Sequence, residues 1–234
     1  MAQIAFPSVV LLGMEDAHGR PLSLGSGFFV RSNIVATNLH VVAGASGGYA
    51  KPVYQKSKYN IGGTVGISEN ADLVLLHIDN ARGKPLSLES NVDVHVGDEV
   101  YAVGNPLGFE GTFSKGIVSG FRQKGSIKIY QITSPVSPGS SGGPVLNNQG
   151  KVIGIIVTTV EAGQNLNFAI PVSYLNSILY DRTTLRPLMV PKQALRSGPF
   201  RGHGKVEGKH VVEDDSAWND LYHFKGKWSD IENK

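Results

Sequence analysis

The chain has 234 residues, 41 % of them hydrophobic, with 29 glycines, no cysteine and a formal net charge of +3. That length and apolar content suffice for one large β domain or two small ones with a real core, and so small a net charge points to no particular partner. The lack of cysteine excludes a disulfide framework, a thiol nucleophile and a thiolate-ligated metal, and no apolar run reaches the roughly 18 residues of a membrane-spanning helix.

The N-terminal "MAQIAFPSVVLLGMED" has no basic residue ahead of its apolar part, carries Pro7 in the middle and reaches acid at Glu15. It reads as a first strand and not as a signal peptide. From Phe6 to about Ile170 short apolar runs alternate with turn residues: "SVVLLGM", "GSGFFV", "NIVATN", "GGTVGI", "DLVLLHI", "DEVYAVG", "GTFSKGIVSGF", "SIKIYQI", "GPVL", "KVIGIIVTTV" and "LNFAI". Their length and their richness in Val and Ile are strand behaviour. None is followed by a long amphipathic stretch, so βαβ units are not expected and an all-β barrel or sandwich pair is. A helix is expected next, with Pro171 in its first position and Val172, Leu175, Ile178 and Leu179 on one face.

Beyond that helix the composition shifts. Residues 181–211 hold seven Lys or Arg against one acidic residue after Asp181, with three prolines, and read as a mobile basic linker. Residues 212–234 are net acidic and gather Trp218, Leu221, Tyr222, Phe224 and Trp228, the makings of a short docking helix. The histidines of this tail, His203, His210 and His223, are too widely spaced for a metal site. No metal and no cofactor are expected. The scattered basic charges suit a solvated spacer better than a nucleic-acid interface.

One stretch carries chemistry. "PGSSGGPV" at 138–145 sets two serines among glycines between two strand-like runs. Alone it is a weak signal, because such clusters are usually turns. A serine hydroxyl becomes a nucleophile only with a base, an orienting carboxylate and N–H donors aimed at the developing oxyanion. The chain supplies His40 in "TNLHVV" and Asp72 in "ADLVLLHID", both upstream. His, then Asp, then Ser is the chain order of the chymotrypsin-type double β-barrel. Asp79, Asp93 and Asp98 are rival orienters in turn-like contexts, and His18, His77 and His95 read as surface or structural.

The words "GSGFFV", "TNLHVV", "ADLVLLHID", "GNPLG", "GIVSG", "PGSSGGPV" and "NFAIP", in this order over roughly residues 6–180, resemble the protease domain of HtrA/DegP-type trypsin-like serine proteases. The resemblance implies a protease domain over residues 1–180, as two β-barrels with their boundary near 85–100. It implies His40 as general base, Asp72 as its orienter and Ser141, not Ser140, as nucleophile. The backbone N–H groups of Gly139 and Ser141, with Ser140 between them, would form the oxyanion hole. Ser140 stands where digestive relatives hold an aspartate, so activation by N-terminal cleavage is not expected. Only 54 residues follow Tyr180, and they do not read as the PDZ domain that this type usually carries.

The specificity pocket is expected from Val157, Thr158, Thr159, Phe168 and Ala169, with no acid among them. It should favour small aliphatic residues at the cleavage point, and the strand at 157–159 should pair with extended substrate. The implied function is endopeptidase action on unfolded or misfolded polypeptide, outside the cytoplasm. The alternative is a silent protease-like barrel that binds peptide. Nothing in the sequence supports an oligomer.

Overall fold

The structure, a computed structural model, describes residues 1–90, 93–106, 110–157, 167–180 and 184–190, and the backbone of 206–207 and 210–211. Twelve strands form two closed antiparallel barrels. The first holds β1 (Val9–Glu15), β2 (Pro21–Arg31), β3 (Ile34–Asn38), β4 (Gly47–Pro52), β5 (Tyr59–Ser68) and β6 (Leu73–Ile78), in the order β1-β2-β3-β6-β5-β4. The second holds β7 (Glu99–Gly104), β8 (Thr112–Lys124), β9 (Ile127–Ile132), β10 (Pro144–Leu146), β11 (Val152–Val157) and β12 (Asn167–Pro171), in the order β10-β11-β12-β9-β8-β7. Closure gives every strand two partners and removes the exposed edges that would otherwise template aggregation. This is the chymotrypsin-like double barrel expected from the run of short Val/Ile-rich segments.

Each barrel has its own core, and a third cluster fills the seam. Val10, Leu12, Phe29, Val35 and Leu76 fill the first barrel. Val118, Tyr130, Ile132, Ile156 and Ala169 fill the second. Val9, Phe28, Leu73, Val103, Ile155 and Phe168 belong to the cluster between them. Neighbours such as Val9 and Val10, or Phe28 and Phe29, thus serve opposite faces of one strand, as the two-residue period of a pleated strand requires. That is why these strands read as continuous apolar runs: both faces are buried. Phe28 and Phe29 are fully covered, a burial that stabilises by roughly 1.5–3 kcal/mol per side chain.

The N-terminus departs from a plain strand. Ala2–Ala5 form a single α-helical turn, α1, and Phe6–Ser8 a 3-10 turn with Pro7 near its start, so β1 begins only at Val9. Proline fixes φ and lacks the ladder donor, which suits a helical start and not a strand. After β3 comes one short helical turn, α2 (Leu39–Val42), and after β12 the expected helix, α3 (Val172–Tyr180). Pro171 ends β12 and does not enter α3. Val172 and Leu175 are fully buried. The helix is tied to both barrels: the Leu179 carbonyl accepts from Arg31 at 3.0 Å, and the Tyr174 hydroxyl from the Lys128 N–H at 3.0 Å.

Residues 184–190, inside the stretch expected to be a mobile linker, are docked on the first barrel. Arg186 exchanges two backbone hydrogen bonds with Thr64 at 2.8 and 2.9 Å, and the Val190 carbonyl accepts from Gly44 N–H at 2.8 Å. Leu188 and Val190 join the first barrel's core, each 5 % exposed. Apolar burial outweighs the solvating effect of the flanking charges here. Farther on, Val206–Glu207 pairs with His210–Val211 as a two-stranded ribbon. The remainder of the basic stretch, and the aromatic and acidic segment 212–234, lie outside the described residues. No helix among the described residues is long and apolar enough to cross a membrane.

Candidate active site

His40 and Asp72 meet because β3 and β6 are neighbours. Their register pairs Asn38 with Leu73, so the residues just after β3 face those just before β6. Leu39 N–H donates to the Asp72 carbonyl at 3.0 Å, and Asn38 Nδ2 donates to the same oxygen at 3.1 Å. The side chains close the pair. Asp72 Oδ2 lies 2.6 Å from His40 Nδ1, and Asp72 Oδ1 accepts from the His40 backbone N–H at 2.9 Å. Both residues are buried, at 5 % and 3 % exposure.

Asp72 has φ of +51°. The left-handed region costs an ordinary L-residue about 1–2 kcal/mol, and Asp is among the few types that enter it routinely. These hydrogen bonds, with a fifth from the Asp72 N–H to the Glu69 carbonyl at 3.2 Å, offset this, and the turn aims the carboxylate at the ring. A carboxylate held on Nδ1 keeps the proton there and makes Nε2 the basic nitrogen, the tautomer that a general base needs.

Ser141 lies in the turn that leads into β10, 2 % exposed. Two hydrogen bonds close the turn, Ser140 N–H to Ser137 O at 2.9 Å and Gly143 N–H to Ser140 O at 3.0 Å, and Gly142 N–H ties it to β11 through Ile156 O at 3.0 Å. Gly139 and Gly142 have φ of +94° and +85°. At Gly142 glycine is required twice over, since a Cβ would also collide with Thr37 Oγ1 and with the Ser26 carbonyl. Ser26 N–H donates to Ser141 O at 2.8 Å. The turn of the second barrel is thereby joined to β2 of the first, beside Thr37, three residues before His40.

Ser140 is 4 % exposed. Its N–H is committed to Ser137, so within the turn it separates Gly139 from Ser141 and is not itself a donor toward the seam.

The other acids sit elsewhere. Asp79 pairs with His77 at 3.2 Å, Asp93 with His95 at 3.4 Å, and Asp98 accepts from His95 N–H at 2.7 Å.

The residues expected to line the specificity pocket do not share one surface. Val157 and Phe168 are partners across β11 and β12 and pack in the seam cluster. Ala169 faces the opposite way, into the second barrel, with no exposure. Thr158 and Thr159 lie outside the described residues.

Two further buried side chains join the turn to both barrels. Ser26 Oγ donates to the Gly139 carbonyl at 2.7 Å and accepts from Asn105 N–H at 2.8 Å. Both residues stand in contiguous words of the sequence, "GSGFFV" and "GNPLG". No spacing rule could have joined them, because the Ser26 hydroxyl reaches over 113 and 79 residues of chain.

The profile of the trypsin-like peptidase domain family matches residues 25–155. Among curated proteins, the chain is 31 % identical over 173 residues to Protease Do-like 1, chloroplastic, of Arabidopsis thaliana, covering 68 % of this chain and 39 % of that protein. It is 30 % identical over 168 residues to a Serine protease HtrA-like of Staphylococcus aureus, covering 64 % of this chain and 22 % of the relative. The chain thus spans well under half the length of either. Among solved structures, the HtrA-type protease AlgW with a tripeptide superposes with a TM-score of 0.68 at 27 % identity, over 76 % of this chain and 60 % of AlgW.

Proposed function

The chain belongs to the trypsin-like peptidase family and carries a serine endopeptidase domain of the HtrA type; from that premise we propose that it hydrolyses unfolded or extended polypeptide through an acyl-enzyme on Ser141. The observation that carries this reading is the buried 2.6 Å contact between His40 Nδ1 and Asp72 Oδ2. Ser141 Oγ attacks the scissile carbonyl carbon as its proton passes to His40 Nε2. The carbonyl oxygen becomes an oxyanion, held by the Gly139 and Ser141 N–H groups. Collapse of this intermediate breaks the C–N bond, and the leaving amine takes the proton from His40. Water then repeats the sequence: its proton goes to His40, its oxygen joins the acyl carbon, and Ser141 leaves with the proton returned.

The reading includes a preference for small aliphatic residues at the cleavage point. Its support is that residues 133–141, 152–157 and 167–171 contain no acid that could pair with a Lys or Arg side chain. Capture of extended backbone draws its support from AlgW, solved with a bound tripeptide, and from strand addition as a general mode.

The test is labelling with a fluorophosphonate, which reacts only with an activated serine, together with cleavage of unfolded casein. Wild type should label and cleave, Ser141→Ala should do neither, and Ser140→Ala should retain both. Folded wild type that neither labels nor cleaves would favour a silent peptide-binding barrel, and loss of activity in Ser140→Ala alone would reverse the serine assignment.

A further inference from the structure

We propose that Ser26 is a positioning residue for the oxyanion hole and that Asn105 sets the direction of its hydroxyl. The inference rests on the reading that the Gly139 and Ser141 amides hold the oxyanion.

Both side chains are fully buried, so their hydrogen bonds can be assigned by inventory. Asn105 Oδ1 accepts from Gly111 N–H at 3.1 Å, and Nδ2 donates to Val10 O at 3.0 Å. Flipping the amide would set donor against donor and acceptor against acceptor, so its orientation is determined. Asn105 therefore offers two donors to Ser26 Oγ: its backbone N–H at 2.8 Å and Nδ2 at 3.3 Å. A serine hydroxyl has one proton and two lone pairs. With both lone pairs occupied by Asn105, that proton is left for the Gly139 carbonyl, 2.7 Å away.

The consequence falls on one peptide unit. The Gly139–Ser140 peptide is now pinned at both ends, its oxygen by Ser26 and its N–H by the Ser137 carbonyl. Gly139 sits at φ +94°, a conformation from which glycine can rotate at little steric cost. A rotation would break both hydrogen bonds at once. Without the Ser26 hydroxyl only one bond opposes it, and the Gly139 carbonyl is free to swing toward the position of the developing negative charge, which a carbonyl oxygen repels. Ser26 keeps that dipole turned back to the first barrel. The same residue holds the nucleophile's own carbonyl through its N–H, and Thr37 Oγ1 holds the Ser26 carbonyl at 2.7 Å. Asn105 comes from the end of the second barrel's β7 and Val10 from the first barrel's β1, so the hydroxyl is oriented by a junction of the two barrels.

The experiment uses the full chain, a fluorogenic peptide with an aliphatic residue at the cleavage point, and a peptide boronic acid whose tetrahedral adduct places an anionic oxygen in the hole. Removing one oxyanion donor outright lowers kcat by about 100- to 1000-fold. Ser26→Ala removes no donor and only frees the Gly139 carbonyl to turn toward the developing charge, so kcat should fall by about 10- to 100-fold, with KM changed less than about threefold. Boronate affinity should weaken by the same factor as kcat, which a merely structural role would not produce. Ser26→Cys keeps the side chain's approximate size but offers only a weak S–H donor; it should fall in the same direction and serves if Ser26→Ala does not melt cooperatively. A folded Ser26 variant with kcat and boronate affinity within about twofold of wild type, or with its loss confined to KM, overturns the proposal. If instead Ser141→Ala still cleaves, the nucleophile assignment itself is what has failed.

Discussion

Replacing Asp72 by Asn alters the proposed base without altering its shape. Three of the five hydrogen bonds at Asp72 use its backbone, two at the carbonyl and one from its N–H to the Glu69 carbonyl at 3.2 Å, and survive. Of the other two, the His40 backbone N–H to Oδ1 at 2.9 Å survives only if the amide oxygen takes the Oδ1 place. The NH2 group must then face His40 Nδ1, where Oδ2 lay at 2.6 Å. A donor there forces Nδ1 to accept, moves the ring proton to Nε2 and leaves that nitrogen unable to take the Ser141 proton. The replacement also removes the charge that stabilises the imidazolium. A triad with the wrong tautomer loses about 10⁴-fold in kcat, which at about 1.36 kcal/mol per tenfold is about 5.5 kcal/mol of transition-state stabilisation. Steady-state cleavage of a fluorogenic peptide measures the loss, thermal melting checks the fold, and Asp79→Asn serves as the control carboxylate. A folded Asp72→Asn that loses less than about tenfold, or an Asp79→Asn that loses as much, would refute the assignment.

Two further outcomes test the fold around the site. Tyr130, in the second barrel's core, has its phenol pushed up to about 12 from an ordinary 10.0, chiefly by burial and secondarily by Tyr174. The folded chain keeps this proton where the unfolded chain has lost it, so the stability it contributes is whole below pH of about 10 and is lost as pH rises toward about 12. Phenolate absorbance followed against pH should show one late-titrating tyrosine that Tyr130→Phe removes. Leu188→Ala should destabilise the protein by about 2–5 kcal/mol, toward the lower end because Leu188 lies on a docked segment and not on a barrel strand. Urea denaturation measures this, and an unchanged midpoint would mean that residues 184–190 contribute nothing to the fold.

Much of the architecture was legible because both faces of most strands are buried, which makes them short, continuous Val/Ile-rich runs. The helix over Val172–Tyr180 was legible for a similar reason: its apolar positions recur at the helical period and pack in the seam. The N-terminal turn was not, since Ala2–Ala5 is too short to display a period. Docking of residues 184–190 was hidden because the basic charges and prolines of the whole 182–211 stretch mask a local apolar run, Leu185, Leu188, Met189 and Val190, of which Leu188 and Val190 are buried in the first barrel's core. Of the pocket residues, Ala169 was grouped with Phe168 although adjacent strand residues point to opposite faces.

By itself the sequence determined that this is an all-β chain holding a histidine, an aspartate and a serine in chymotrypsin order, because strand composition is local and the motif words are contiguous. Only the tertiary structure decided how those words are joined: that the β3–β6 register sets Asp72 against His40, and that Ser26, held by Asn105 from the opposite barrel, reaches Gly139. Hydrogen bonds that span 79 or 113 residues leave no periodicity behind, since they depend on which strands close which barrel and on how the two barrels meet.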